Sequence, residues 1–156
     1  MGAAYLGRSV KYMLTLDEVF QKLVIGNALD GIELSDRPDF FVINVTESVE
    51  NPKADFCLTI GVPRTADEKI RVFASDLDIL ANMIDSALYL NQHVLVHCTA
   101  GIERSPLVVT WYLHKYFNMS LLDAFYEVQQ NLRPEAENRL NWISYLSVDD
   151  FLKHTN

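Results

Sequence analysis

The stretch HVLVHCTAGIERSPLVVTWYLHKYF, residues 93–117, constrains this chain more than any other segment. It opens as a short apolar strand, His93 to His97, and passes through a Gly-containing loop at 98–104. From Ser105 onward the residues are apolar nearly all round, so that helix has to lie buried. A strand feeding directly into a buried helix demands a sheet with helices packed on it. The loop between them then sits at the carboxyl end of a central strand, where open α/β sheets bind ligands.

The flanking pattern agrees. LDEVFQKLVI (16–25) ends in a short apolar piece before Gly26-Asn27 and reads as a strand and turn. FFVINV (40–45) reads as a buried strand, and DFCLTIGV (55–62) as a third. After an irregular loop at 63–73, SDLDILANMIDSALYL (75–90) reads as a helix with Ser75 and Asp78 as a capping box. Its Leu77, Leu80, Ala81, Ile84 and Leu88 share one face. Ser120 and Asp123 open another helix, whose Leu121, Phe125, Val128 and Leu132 recur until Arg133-Pro134 stops it. A last helix is expected over RLNWISYLSVDDFL (139–152). The expectation is one α/β domain over residues 1–156, with 1–12 as a loosely packed arm. Its central sheet should be mostly parallel (mixed), with helices on both sides.

Composition removes several classes of function. No apolar run approaches the roughly 20 residues needed to span a bilayer, so no membrane partner is expected. Two cysteines, Cys57 and Cys98, are too few for a disulfide scaffold, which suits a reducing cytoplasm. With four scattered histidines they make no metal pattern, and no cofactor is expected. The net charge of −8, with 13 basic residues forming no run, argues against nucleic acid. Any anion must be held locally by a few placed groups.

The loop after His97 has those groups. Cys98 and Arg104 are separated by five residues, with Gly101 between them. The backbone N–H groups of Thr99, Ala100, Gly101, Ile102, Glu103 and Arg104 can curl inward as an anion nest beside a helix N-terminus. Such a nest favours a thiolate at Cys98. The planar fork of Arg104 can grip two oxygens of a phosphate, which an ammonium cannot do. His97 reads as a buried organiser of the loop rather than a proton carrier. Ser105 is either a helix cap or a hydroxyl that steadies the sulfur as leaving group.

HCTAGIERSP resembles the signature of the cysteine-dependent protein phosphatases. RSPLVVTWYL, MSLLDAFYEVQQNLRP and KLVIGNALDG resemble its dual-specificity branch. The likeness covers most of the chain from about residue 20 and is strongest over 84–138. It implies a dual-specificity phosphatase-like fold and a shallow pocket. Catalysis would run through a phosphocysteine intermediate on Cys98 and need no metal. The resemblance also implies a general acid about thirty residues before the cysteine, which Asp67 matches, and it places Asn138 as a support bonded to the phosphate loop. A phosphorylated protein or peptide is then the expected substrate.

One residue departs from that pattern. Glu103 stands where relatives usually carry a small or neutral side chain, although myotubularin-type lipid phosphatases resemble it in carrying an acid there. A carboxylate near a phosphate dianion costs ~1 kcal/mol if it faces water. Glu103→Ser is therefore expected to lower KM for anionic substrates, and an unchanged or raised KM would contradict this.

Other readings of the same residues are weaker. The same chemistry could serve a lipid, an RNA 5′-end or a glucan, but the loop carries no lysine to hold extra phosphates. A catalytically weak phosphate-binding module would be expected to have lost Cys98 or Arg104. A rhodanese-like sulfur transferase would not need the arginine. Cys57, on a strand that could neighbour that of Cys98, could form a reversible disulfide protecting an oxidised nucleophile.

Overall fold

The computed structural model describes residues 14–60, 74–99 and 104–131. Among these residues four strands form one sheet in the order β1-β4-β2-β3, with every described pairing parallel. They are β1 (Leu23–Gly26), β2 (Phe40–Asn44), β3 (Phe56–Cys57) and β4 (His93–His97). The helices are α1 (Leu16–Lys22), α2 (Ala28–Leu34), α3 (Ala74–Tyr89), α4 (Arg104–Tyr116) and α5 (Leu121–Asn131). No described helix is long and apolar enough to cross a membrane.

Side-chain alternation along the strands sorts the two faces. Ile43, Val45, Val94, Val96 and Cys98 join the main core with Leu77, Leu80, Ile84, Leu107 and Leu113 of α3 and α4. The intervening Asn44, Leu95 and His97 face the other way, where Gly31 of α2 lies against the His97 ring. As expected from its sequence, α4 is buried along nine consecutive residues, Ser105 to Leu113. Its Thr110 satisfies its hydroxyl on the Pro106 carbonyl at 2.8 Å. The predicted α3 face is buried too, joined by Asp85 and Ala87.

Several local expectations are corrected. The segment 16–25 contains α1 before its strand: Thr15 and Glu18 form a capping box, which polar residues within an apolar run had concealed. Gly26-Asn27 is not a reversing turn. Gly26 ends β1 and Asn27 caps α2, its side chain accepting from Asp30 N at 2.9 Å. The third strand is only two residues long, because beyond Cys57 the chain bonds laterally to the end of β2 through Leu58 N–Asn44 O and Ile60 N–Val45 O. Ser75 does not cap α3, being its second residue. The Asp78 carboxylate instead joins α3 to α4, accepting from Trp111 Nε1 at 2.8 Å and meeting Lys115 Nζ at 3.5 Å. Ser120 does cap α5, accepting from Asp123 N at 3.1 Å. Asn118, at φ 53°, supplies the left-handed residue between α4 and α5. The expected stop at Arg133-Pro134, the last helix at 139–152 and the N-terminal arm lie outside the described residues.

Candidate active site

Three parallel strands end together beneath the loop that opens at Cys98. Cys98 N donates to Gly26 O at the end of β1, and Val45 N, just past β2, donates to His97 O at 3.0 Å. Ala28 N, at the start of α2, donates to Thr99 O at 3.1 Å. Residues 97–99 are thereby tied to both neighbouring strands and to a helix N-terminus.

Cys98 is 2% exposed, and its sulfur lies 3.2 Å from Oγ of Ser105, a fully buried residue. Ser105 is the second residue of α4, so its hydroxyl is not a cap for that helix. It faces the thiol instead. This geometry also sets Cys98 against the first turn of α4, the end at which a helix favours negative charge. From the first position of α4, Arg104 Nη2 reaches back 2.9 Å to Thr99 Oγ1. A thiol, a hydroxyl beside it and a guanidinium six residues on are thus gathered at one loop. That is a geometry for attack on a tetrahedral oxyanion.

His97 lies beneath the loop, with no exposed surface. Asn51 Nδ2 is 3.0 Å from its Nε2. An amide nitrogen can only donate, so Nε2 accepts and the ring proton sits on Nδ1, which faces Cys98 O at 3.4 Å. The imidazole therefore holds the backbone of the cysteine, while its own ring is held by Asn51. Asn51 in turn donates to Ser35 Oγ at 2.9 Å, linking α2 to the site.

Burial drives the His97 pKa below the ordinary histidine value; its bond to Cys98 O and the carboxylates of Glu50 and Asp30 oppose that shift. In the unfolded chain the same ring protonates near pH 6.5. Below that value the unfolded state binds more protons than the folded one. This contribution to stability is therefore complete above about 6.5 and is lost as pH falls through the lowered folded value. Melting temperature should fall between pH 7.5 and 5.5, and the His97 ring signals should titrate with a midpoint below about 6.5 by NMR. A midpoint at or above that value would refute the neutral, buried imidazole.

Asp67, Ala100, Gly101, Ile102, Glu103 and Asn138 lie outside the described residues. Of the other expected residues, Cys98, Thr99, Arg104, Ser105 and His97 come together at the loop. Sequence reading overlooked Glu50, Asn51, Asn44 and Thr46. Asn44 is fully buried and accepts from Thr46 N at 2.8 Å, shaping the turn that follows β2. A polar residue within FFVINV was a signal for that role; Asn51 and Glu50 sit among loop residues and carried none.

Cys57 is not placed to bridge Cys98. It pairs in register with Asn44, and Asn44 with His97, so β2 separates the two cysteine-bearing strands. Two strand spacings put their Cα atoms roughly 10 Å apart, beyond disulfide reach of about 7 Å. Aligned partners also point to one face, so Cys57 shares the face of His97 while Cys98 turns to the other. Its sulfur sits 3.6 Å from Thr46 O, and partial burial pushes its thiol pKa up. Among the described residues no group of three or more His, Cys, Asp or Glu could hold a metal ion.

The family profile described as dual specificity phosphatase, catalytic domain, matches residues 33–148. Dual specificity protein phosphatase 18 of Rattus norvegicus is 35% identical over 112 residues, covering 70% of this chain and 54% of the relative. Dual specificity protein phosphatase 16 of Homo sapiens is 32% identical over 129 residues, covering 83% of this chain and 17% of the relative. The chain thus spans about half the length of the first and under a fifth of the second. Among solved structures, a human DUSP28 variant aligns with a TM-score of 0.63 at 25% identity, covering 87% of this chain and 92% of that one. A mouse dual specificity phosphatase complexed with zinc tungstate aligns with a TM-score of 0.57 at 26% identity, covering 82% of this chain and 89% of that one.

Proposed function

Since this chain belongs to the dual specificity phosphatase family, we propose that it hydrolyses phosphotyrosine, and phosphoserine or phosphothreonine, in protein substrates. The observation that carries the reading is the 3.2 Å approach of Cys98 Sγ to Ser105 Oγ at the N-terminus of α4, beside the guanidinium of Arg104. In the proposed sequence of events, Cys98 attacks phosphorus and the P–O bond to the side chain breaks. Asp67 protonates the departing oxygen. Water, deprotonated by Asp67, then cleaves the phosphocysteine, releasing phosphate and a thiolate steadied by Ser105. Arg104 and the loop N–H groups of 99–104 hold the equatorial oxygens throughout. His97 and Asn138 support the loop without touching substrate. A structure of similar fold is complexed with zinc tungstate, whose anion is tetrahedral like phosphate, and this agrees with the reading. Two free cysteines suit a cytoplasmic enzyme.

The test is hydrolysis of p-nitrophenyl phosphate and of a phosphotyrosine peptide in EDTA. Activity should persist, and absence of turnover on both would overturn the reading. Asp67→Asn should lower kcat on the phosphotyrosine peptide by about 10²–10⁴-fold, the usual scale for a general acid. On p-nitrophenyl phosphate, whose leaving group needs no proton, the loss should be much smaller. Equal losses on both substrates would remove Asp67 from that role.

A further inference from the structure

Among the described residues, no carboxylate bonds Arg104 directly. Its Nη2 donates 2.9 Å to Thr99 Oγ1, and a guanidinium has no acceptor to offer in return. The hydroxyl must therefore accept from Arg104 and give its single proton elsewhere. Glu50 takes it, with Oε2 at 3.1 Å and Oε1 at 3.3 Å from Thr99 Oγ1. The relay can run only one way, from guanidinium through hydroxyl to carboxylate. Glu50 is itself fixed. It ends the 3₁₀ turn Ser48–Glu50, its N–H bonds Glu47 O at 3.0 Å, and Oε2 lies 3.0 Å from the hydroxyl of buried Thr46. The next residue, Asn51, holds His97. One short turn after β2 thus supports the cysteine backbone through one residue and the arginine through the other.

We propose that Glu50 is a positioning residue for phosphate binding, aligning Arg104 through the hydroxyl of Thr99. The proposal rests on the reading of Arg104 as the phosphate clamp. Its physical content lies in a sign. A carboxylate near an anion site repels the anion, so removing its charge would by Coulomb's law alone strengthen phosphate binding. Positioning predicts the reverse, because an unaligned guanidinium loses its two-pronged geometry.

The experiment compares wild type with Glu50→Gln, Thr99→Val and the double variant, using inorganic phosphate as competitive inhibitor of p-nitrophenyl phosphate hydrolysis. Phosphate binding is also measured without turnover, by calorimetry in a Cys98→Ser background. Glu50→Gln should weaken phosphate binding roughly 3- to 10-fold, as for loss of an aligned charged hydrogen bond. Thr99→Val should do the same, the double variant should be no worse than either single one, and Thr99→Ser should recover most of the loss. Phosphate binding that is unchanged or tighter in Glu50→Gln overturns the proposal, as do fully additive losses in the double variant. If wild type neither turns over substrate nor binds phosphate, the clamp itself is refuted, and the positioning role falls with it. Turnover in wild type with unaltered variants refutes Glu50 alone.

Discussion

Replacing Cys98 with serine should abolish hydrolysis of p-nitrophenyl phosphate while leaving the fold and phosphate binding in place. The two side chains differ by one atom, and position 98 is already enclosed, with Ser105 Oγ 3.2 Å from the sulfur. The substitution therefore opens no large cavity and strands no polar group, since a serine hydroxyl can bond to Ser105. What it removes is a sulfur that can carry negative charge, attack phosphorus and leave again. An oxygen in its place would have to be ionised against a far higher cost and would make a poor leaving group in the second step. The expected loss in kcat is at least about 10⁴-fold, or more than about 5 kcal/mol of transition-state stabilisation. Calorimetric titration with inorganic phosphate should still show binding, because Arg104 and the loop N–H groups remain. Residual turnover within tenfold of wild type would rule out a phosphocysteine route.

The second large effect is on stability. Gly31 lies in α2, where alanine would ordinarily be favoured over glycine by up to about 1 kcal/mol. Here a Cβ would sit 2.4 Å from Cδ2 and Nε2 of His97 and 2.7 Å from Cε1. The ring is fully buried and cannot retreat without leaving Asn51 Nδ2, its partner at 3.0 Å. Overpacking of this kind costs about 1–3 kcal/mol, and a stranded buried polar group about as much again. Those terms outweigh the helix preference. Gly31→Ala should thus lower stability by about 3 kcal/mol, which is roughly 6–12 °C in melting temperature for a chain of this size. In a His97→Ala background the same change should become neutral or stabilising. A stabilising effect of Gly31→Ala alone would show that α2 does not press on the ring.

The two glycine-bearing segments show how differently the site was legible. The proposed chemistry of the loop HCTAGIERSP was legible in one dimension, because the residues read as nucleophile, nest and clamp are contiguous in the chain and flanked by one strand and one helix. The sequence alone is compatible with Ser105 as cap or as helper; α4 begins one residue earlier, and the Ser105 hydroxyl faces Cys98. ALDGIEL, by contrast, gave no hint that its glycine is a contact with residue 97, sixty-six positions away. The same holds for Glu50 and Asn51, which become part of the site only because β2 ends beside β4. The suggestion that Cys57 neighbours Cys98 failed for a related reason. Strand order is set by crossover connections, and apolar patterning within a strand carries no record of which strand it will adjoin.

Apolar periodicity was thus sufficient to determine the α/β class and the buried α4, and the Cys-x5-Arg loop to name the residues proposed to meet phosphate. Both depend on local chemistry, on the apolar surface a helix or strand must bury and on donors a few residues apart. The order β1-β4-β2-β3, and the placing of Asn51 on His97 and of Glu50 on Thr99, the partner of Arg104, were decided only by tertiary structure. Those contacts join residues far apart in the chain, and their energy exists only once the sheet has brought them within hydrogen-bonding distance.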